Sequence, residues 1–513
     1  MNRTRFAGLL VALAFAAVPA AQLRGAAAAL PLGAGADRQS GPPGQHWLVG
    51  SRRDPTLAEA ADDPATVTHA LNRLTFGPRP GDLDGVRQMG LAAWIDEQLH
   101  PARIDDRAAE ARLPQLQEPP DSSDPRDLRR FARLQIDTLA SDKVLRAVYS
   151  ERQLQEVLVD FWFNHFNVYA AKGRTAEYLP DYERDAIRPH VFAHFRDLLE
   201  ATAKSPAMLF YLDNWLSADP NAAERIAEMR QRFADLRGRR FGRRGVQPGA
   251  GIPAPPNRPQ AANANGGKRT RGLNENYGRE LLELHTLGVD GGYTQKDVIE
   301  VARAFTGWTI DRDRRFRFVP ALHDNAAKIV LGHPIKSGGI DDGEQVLDIV
   351  ASHPSTAHHI AFELAQRLVA DEPPPALVDR AAARFRETKG DLREVVRTIV
   401  TSPEFLAPAA RSVKFKTPFE LVVSAVRTTG ADVTDGKPFV QVLRQLGEPL
   451  YMCQPPTGYH DTADAWVSAG GLVTRMNFAT RLASGDMPGV TLPGISPSNE
   501  LALHLGSPEF QRH

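Results

Sequence analysis

The sequence predicts a mainly α protein: one large multi-helix unit with long irregular loops and at most a few short strands. Apolar residues recur at helical spacing in segment after segment, whereas a strand pattern is convincing only in Arg314–Val319. Helix punctuation recurs with them, with Asn, Asp or Thr before each apolar pattern and Gly after it. The 513 residues would allow about two to four domains by length alone. No internal repeat is visible, and two helical halves, 63–216 and 273–484, are expected to pack as one unit.

The most legible stretch is Asn274 to Trp308. Asn274 is a good N-cap for a helix over Glu275–Leu287, which Gly288 can end in the left-handed conformation. Thr294 and Asp297 have the spacing of a capping box for the next helix, with Tyr293 and Val298 at the staple positions. On the first helix, at roughly 100° per residue, Asn276, Glu280 and Glu283 form one polar stripe. Two carboxylates and an amide so spaced can aim oxygens at one cation. They can equally join a salt-bridge ladder, because Arg279 is four residues from both Glu275 and Glu283. Glu280 has no obvious partner in that ladder. His285 projects about 140° away from Glu280, so the two cannot chelate locally, and a hydrogen-bonded core role is expected for it.

The flanks read as follows. Residues 1–20 look like a signal peptide, with Arg3 and Arg5 before an apolar run from Phe6 to Val18 and small residues permitting cleavage after Ala20. Retention of this segment as an anchor is the alternative. Residues 21–62 read as a flexible leader. Asp63-Pro64 opens a capped helix. A second helix runs from Asp82 with Leu83, Val86, Leu91 and Trp94 on its core side. A long one spans Arg126–Phe163, with a break expected near Ser141. It runs into Trp162-Phe163-Asn164-His165-Phe166-Asn167, where His165 is either a ligand or base, or a cap on the last turn. His190 and His194 could share a metal or form a solvated pair. A helix is expected over Ala207–Leu216.

Residues 217–272 turn basic, then rich in Pro, Gly and Asn, and are expected to be a largely disordered insertion. Beyond the central pair, helices are expected near 343–350, from His353, and over 375–388, 391–401, 418–429, 439–446 and 472–483. From Gly485 onward the chain reads as a loose tail.

Composition narrows the function. The 62 basic and 62 acidic residues balance, which removes a global pull toward nucleic acid. Cys453 is the single cysteine, so an internal disulfide is excluded. There is no G-x-S-x-G elbow, P-loop, dinucleotide fingerprint or H-E-x-x-H. A site assembled from scattered residues is still compatible with these absences.

Several blocks, in order, resemble the domain-of-unknown-function family 1800. They are Leu71–Gly77, Trp162–Val168, Asn274–Trp308, His353–Ala357, Ser402–Phe405, Lys414–Pro418 and the Pro455–Trp466 loop. The resemblance implies a large, mainly helical, exported bacterial protein, periplasmic or extracellular. Members are often encoded beside a second exported family that resembles sulfatases and phosphatases, which makes such a protein the expected partner. The resemblance transfers no catalytic residue, and this chain departs from it by the insertion between Leu216 and Asn274.

Two functions are weighed. The slightly favoured one is an exported protein that binds or helps assemble a partner. The other is a hydrolase acting on an extracytoplasmic polymer or ester. In that reading Glu280 and His165 are the candidate acid and base. Alternatively Glu280, Glu283, His165, Asn276, His323 and Asp324 would gather, with Asn167 near, around a divalent metal that activates water. The stripe of Glu280 is expected to face His165 across a shared cleft.

Overall fold

The computed structural model describes residues 63–513 apart from 119, 121–123, 229–230, 233–271, 337 and 495–497. The expected signal peptide, the leader and most of the insertion lie outside the described residues. Those described belong to one compact unit, Arg52–His513, and are mainly helical. Short antiparallel pairs supply the strands. Among the described residues, no helix is long and apolar enough to cross a membrane.

Local chemistry explains where helices start and stop. Asp63 accepts the Ala65 N–H at 3.2 Å and Pro64 leads the helix Pro64–Leu74, as its sequence expects. The second predicted helix is two, Asp82–Met89 and Leu91–Gln98. Gly90 lies between them at φ 87°, which breaks the run. The long helix Pro125–Tyr149 passes straight through Ser141. Ser141 is buried there and its hydroxyl accepts the Gly436 N–H at 3.1 Å, so it packs rather than breaks. The break falls at Ser150, whose hydroxyl donates to Asp106 at 2.8 Å, and the helix Gln153–His165 follows. The Ala207–Leu216 prediction resolves into the helix Pro206–Tyr211 and a short 3-10 turn, Asn214–Leu216, separated by Asp213 at φ 59°.

In the central stretch the first helix is shorter than expected, Asn276–Glu283. The next turn loosens: the N–H groups of His285 and Leu287 each donate to a carbonyl five residues back. The second helix, Gln295–Ala304, carries the full Thr294/Asp297 capping box. The Arg314–Val319 pattern is the strand Phe316–Phe318, paired with Trp308–Ile310. Lys328–Val330 pairs with His333–Ile335.

His353 caps the helix Pro354–Leu368 by accepting the Ser355 N–H at 3.2 Å. The stretch after Gly485 is not loose. Val490–Thr491 pairs with Asp432–Val433, and a helix covers Asn499–Gly506. Lys416 N–H donates to the Gln511 carbonyl at 2.9 Å, and His513 is buried. Trp162, Phe166, Phe195, Tyr277, Phe305 and Trp308 are among the largest fully buried side chains, so both sequence halves contribute to the core.

Candidate active site

The last turn of Gln153–His165 forms one wall of a cavity of about 190 Å³. The helix Pro354–Leu368 forms another through Glu363, Gln366 and Arg367. Lys143 reaches in from Pro125–Tyr149, and the loop from Glu448 to Asp461 closes the remainder. The amides in Asn164-His165-Phe166-Asn167 explain how that loop is held. Asn164 donates to the Tyr459 carbonyl and accepts the Tyr459 N–H, both at 2.7 Å. Asn167 donates to the carbonyls of Cys453 at 3.1 Å and Pro455 at 2.7 Å. A Cβ on Gly458 would lie 2.4 Å from the Asn164 carbonyl oxygen, so only glycine fits this clamp.

His165 is buried at the pocket wall. Its Nδ1 lies 2.6 Å from Glu363 Oε2 and its Nε2 3.2 Å from the His285 carbonyl. Both ring nitrogens are thus turned to protein partners rather than to a shared metal, and the ring does not cap its own helix. Burial works against the Glu363 carboxylate, but His165 beside it lowers its pKa below the ordinary value. His359 lies 3.4 Å from the other Glu363 oxygen.

Deeper in, charges are paired. Lys143 Nζ is 2.7 Å from Asp160 Oδ1. Arg367 reaches Asp461 at 2.9 Å, Glu420 at 3.1 Å and Asp160 at 3.4 Å. Burial opposes the Lys143 ammonium, but Asp160, Glu183 and Glu448 together raise its pKa. Glu448 differs. Burial, reinforced by Asp160, pushes its carboxyl up to about 8, although Phe419 N–H donates to it at 2.7 Å. One pocket therefore holds a carboxyl whose burial favours its protonated form, Glu448, and a second, Asp160, held by Lys143 and Arg367.

Among the described residues no contact draws the predicted Glu280 group to His165: Glu280 does not line this pocket, and no hydrogen bond or ion pair joins the two. The turn after its helix reaches His165 instead, through the His285 carbonyl. Glu280 has no side-chain hydrogen bond or ion pair among the described residues; burial and then Glu283 raise its pKa. Glu283 accepts the Tyr293 hydroxyl at 3.2 Å, and Arg279 pairs with Glu275 at 3.5 Å rather than with both glutamates. Asn276 is exposed.

His323 is fully buried, with Nε2 3.1 Å from Asp342, which also takes Lys328 at 2.8 Å. Asp324 pairs with Arg303 at 2.7 Å. These charges are met by protein partners, and among the described residues no group of three or more His, Cys, Asp or Glu is arranged to hold a metal. His190 and His194 turn to different carbonyls, those of Ala186 and Lys389. His285 is buried with Nε2 unpartnered, and burial, then His165 and His359, hold its pKa well below the ordinary value.

Sequence reasoning found His165 but missed Asp160, Lys143, Glu363, Arg367 and Glu448. Two signals were present. Asp160 interrupts an apolar run between Val159 and Phe161, and His359, Glu363 and Arg367 recur every fourth residue as one stripe of the helix Pro354–Leu368. Neither the curated proteins nor the solved structures compared with this chain include a match. The family model described as "Protein of unknown function (DUF1800)" matches residues 69–512, and the chain belongs to that family.

Proposed function

We propose that the chain is an exported acid–base hydrolase whose site is the Glu448–Asp160 pocket. The reading rests on two carboxyl groups in opposite environments on the wall of one polar cavity. Glu448, uncharged at neutral pH, donates a proton to the leaving-group oxygen. Asp160, fixed by Lys143 and Arg367, takes a proton from the attacking water, whose oxygen bonds to the carbon that the leaving group quits. The Glu363–His165 pair supplies a fixed hydrogen-bonding edge for a polar substrate, such as one unit of a polymer or an ester. Export is supported by the Arg3/Arg5 and Phe6–Val18 pattern.

The test uses aryl glycosides and aryl esters with good and poor leaving groups. Glu448→Gln should abolish turnover of poor leaving groups and spare good ones, which need no protonation. Asp160→Asn should abolish both. Equal turnover by the wild type and both variants would remove the proposal.

A second reading, a partner-binding role, is favoured by exposed apolar side chains near the end of the chain. Val467, Val473, Met476 and Leu503 are each more than half exposed, and the last three lie on the packed helices Ala469–Ala483 and Asn499–Gly506. Co-elution with an exported sulfatase-like protein, lost in Val473→Glu/Met476→Glu with hydrolysis intact, would support it.

A further inference from the structure

A larger cavity, of about 680 Å³, lies between the first three turns of the Pro125–Tyr149 helix and the segment 170–177. Leu128, Ala132 and Ile136 form its helix side, and Ala170, Ala176 and Met452 face it from elsewhere. Alanines leave the space open, because their side chains end at Cβ. Met452 brings a flexible, adaptable apolar surface. The size lies within the range of small-molecule sites, roughly 300–1,000 Å³.

The polar groups on this cavity are unbalanced. Arg129, Arg133, Arg174 and Arg444 line it, against Asp137 and Glu177. Arg174 binds both oxygens of Glu177, at 2.8 and 2.6 Å, and Arg444 pairs with Asp137. Arg129 and Arg133 are exposed and make no hydrogen bond or ion pair among the described residues. They stand four residues apart on one helix edge, where like charges weaken a helix. An apolar floor therefore borders two exposed guanidinium groups, of which Arg129 has only the Asp124 carboxylate within electrostatic reach and Arg133 has no ion pair among the described residues. Guanidinium forks match carboxylate geometry.

We propose that this groove binds a single-chain anionic amphiphile. Its acyl chain lies on the Leu128–Ala132–Ile136 floor and its carboxylate between Arg129 and Arg133. The site is separate from the Glu448 pocket and does not depend on the hydrolase reading.

Dodecanoate below its critical micelle concentration is the probe, titrated calorimetrically into the full chain. Saturable one-to-one binding is expected, weakened at least about tenfold by Arg129→Gln/Arg133→Gln. Ala132→Trp, which fills the floor, should abolish it. Thermal melting of each variant reports folding, and the exposed arginine pair keeps the test decisive should the tryptophan variant not fold. Dodecanol bound as tightly as dodecanoate overturns the proposal, as does dodecanoate binding indifferent to the arginine pair. Tighter binding of an acidic, leucine-rich peptide than of dodecanoate also overturns it, in favour of a protein partner.

Discussion

The Lys416 ammonium lies 2.8 Å from the Ser424 hydroxyl and 4.0 Å from the centre of the Phe510 ring. Burial, helped by Arg475 and opposed by Glu420, pulls its pKa from 10.5 down to about 7. His513 packs in the same region, with Nε2 3.6 Å from Glu420. The unfolded chain thus binds this proton more readily than the folded one between pH 7 and 10.5. Stability from this group rises with pH across that window, on the order of a few kcal/mol. Lys416→Met keeps the volume and removes the titration. Denaturant unfolding at pH 7, 8.5 and 10 should show a flatter profile in the variant; an unchanged slope would exclude Lys416 as its source.

Gly278 marks the closest approach of the two central helices. A Cβ there would meet the Val298 carbonyl oxygen at 2.9 Å and the Ala302 nitrogen at 3.1 Å. Alanine ordinarily strengthens a helix by about 1 kcal/mol over glycine. Here the clash is with backbone, which cannot swing aside, so overpacking of roughly 1–3 kcal/mol should win. Gly278→Ala should lower the thermal midpoint, and a rise would show that the helices separate at little cost.

The contrast between Thr294 and Gly278 shows what the sequence discloses. The Thr294/Asp297 box is a contact within one turn, so its spacing is its evidence. Gly278 has a tertiary reason, visible only once Val298 is packed on it. The same divide runs through the site. His165 stood out in an unusual local motif, yet its partner Glu363 is 198 residues away, and Asn167 clamps a loop 286 residues on. The Glu280 stripe was legible as a pattern, but its direction was not. The helix ends at Glu283 and a loosened turn follows, which presents the His285 carbonyl rather than Glu280 to His165. Ser141 was misread for a similar reason: buried Ser packs as well as it breaks.

Glu280 carries an energetic cost that can be measured. Burial and Glu283 raise its pKa against the pull of Arg279, and among the described residues no cation is bonded to it. A carboxyl with a raised folded pKa stabilises below its unfolded value, and that contribution is lost as pH rises through the folded one. Glu280→Gln should therefore stabilise the protein at pH 7, by roughly 0.5 kcal/mol from the like-charge pair alone. At pH 4 it should be nearly neutral. A loss of stability at pH 7 would reveal a cationic partner and restore the salt-bridge reading of the stripe.

Glu448 gives an acid-side effect that separates stability from chemistry. Its folded pKa of about 8 stands above the ordinary 4.5, with burial first and Asp160 second as causes. Between those values the folded state holds a proton that the unfolded state has released. Stability therefore falls as pH rises from 4.5 to 8, by an amount on the order of a few kcal/mol, and stays low above 8. Gln in its place keeps an oxygen for the Phe419 N–H and cannot ionise. Glu448→Gln should match the wild type at pH 4, exceed it at pH 9, and lack the fall in stability between pH 4.5 and 8 that Glu448 contributes to the wild type. Its turnover of poor leaving groups should nevertheless vanish at every pH, because the proton donor is gone while the fold is strengthened. A variant that is both more stable and fully active would deny Glu448 any part in the chemistry while leaving its burial as described.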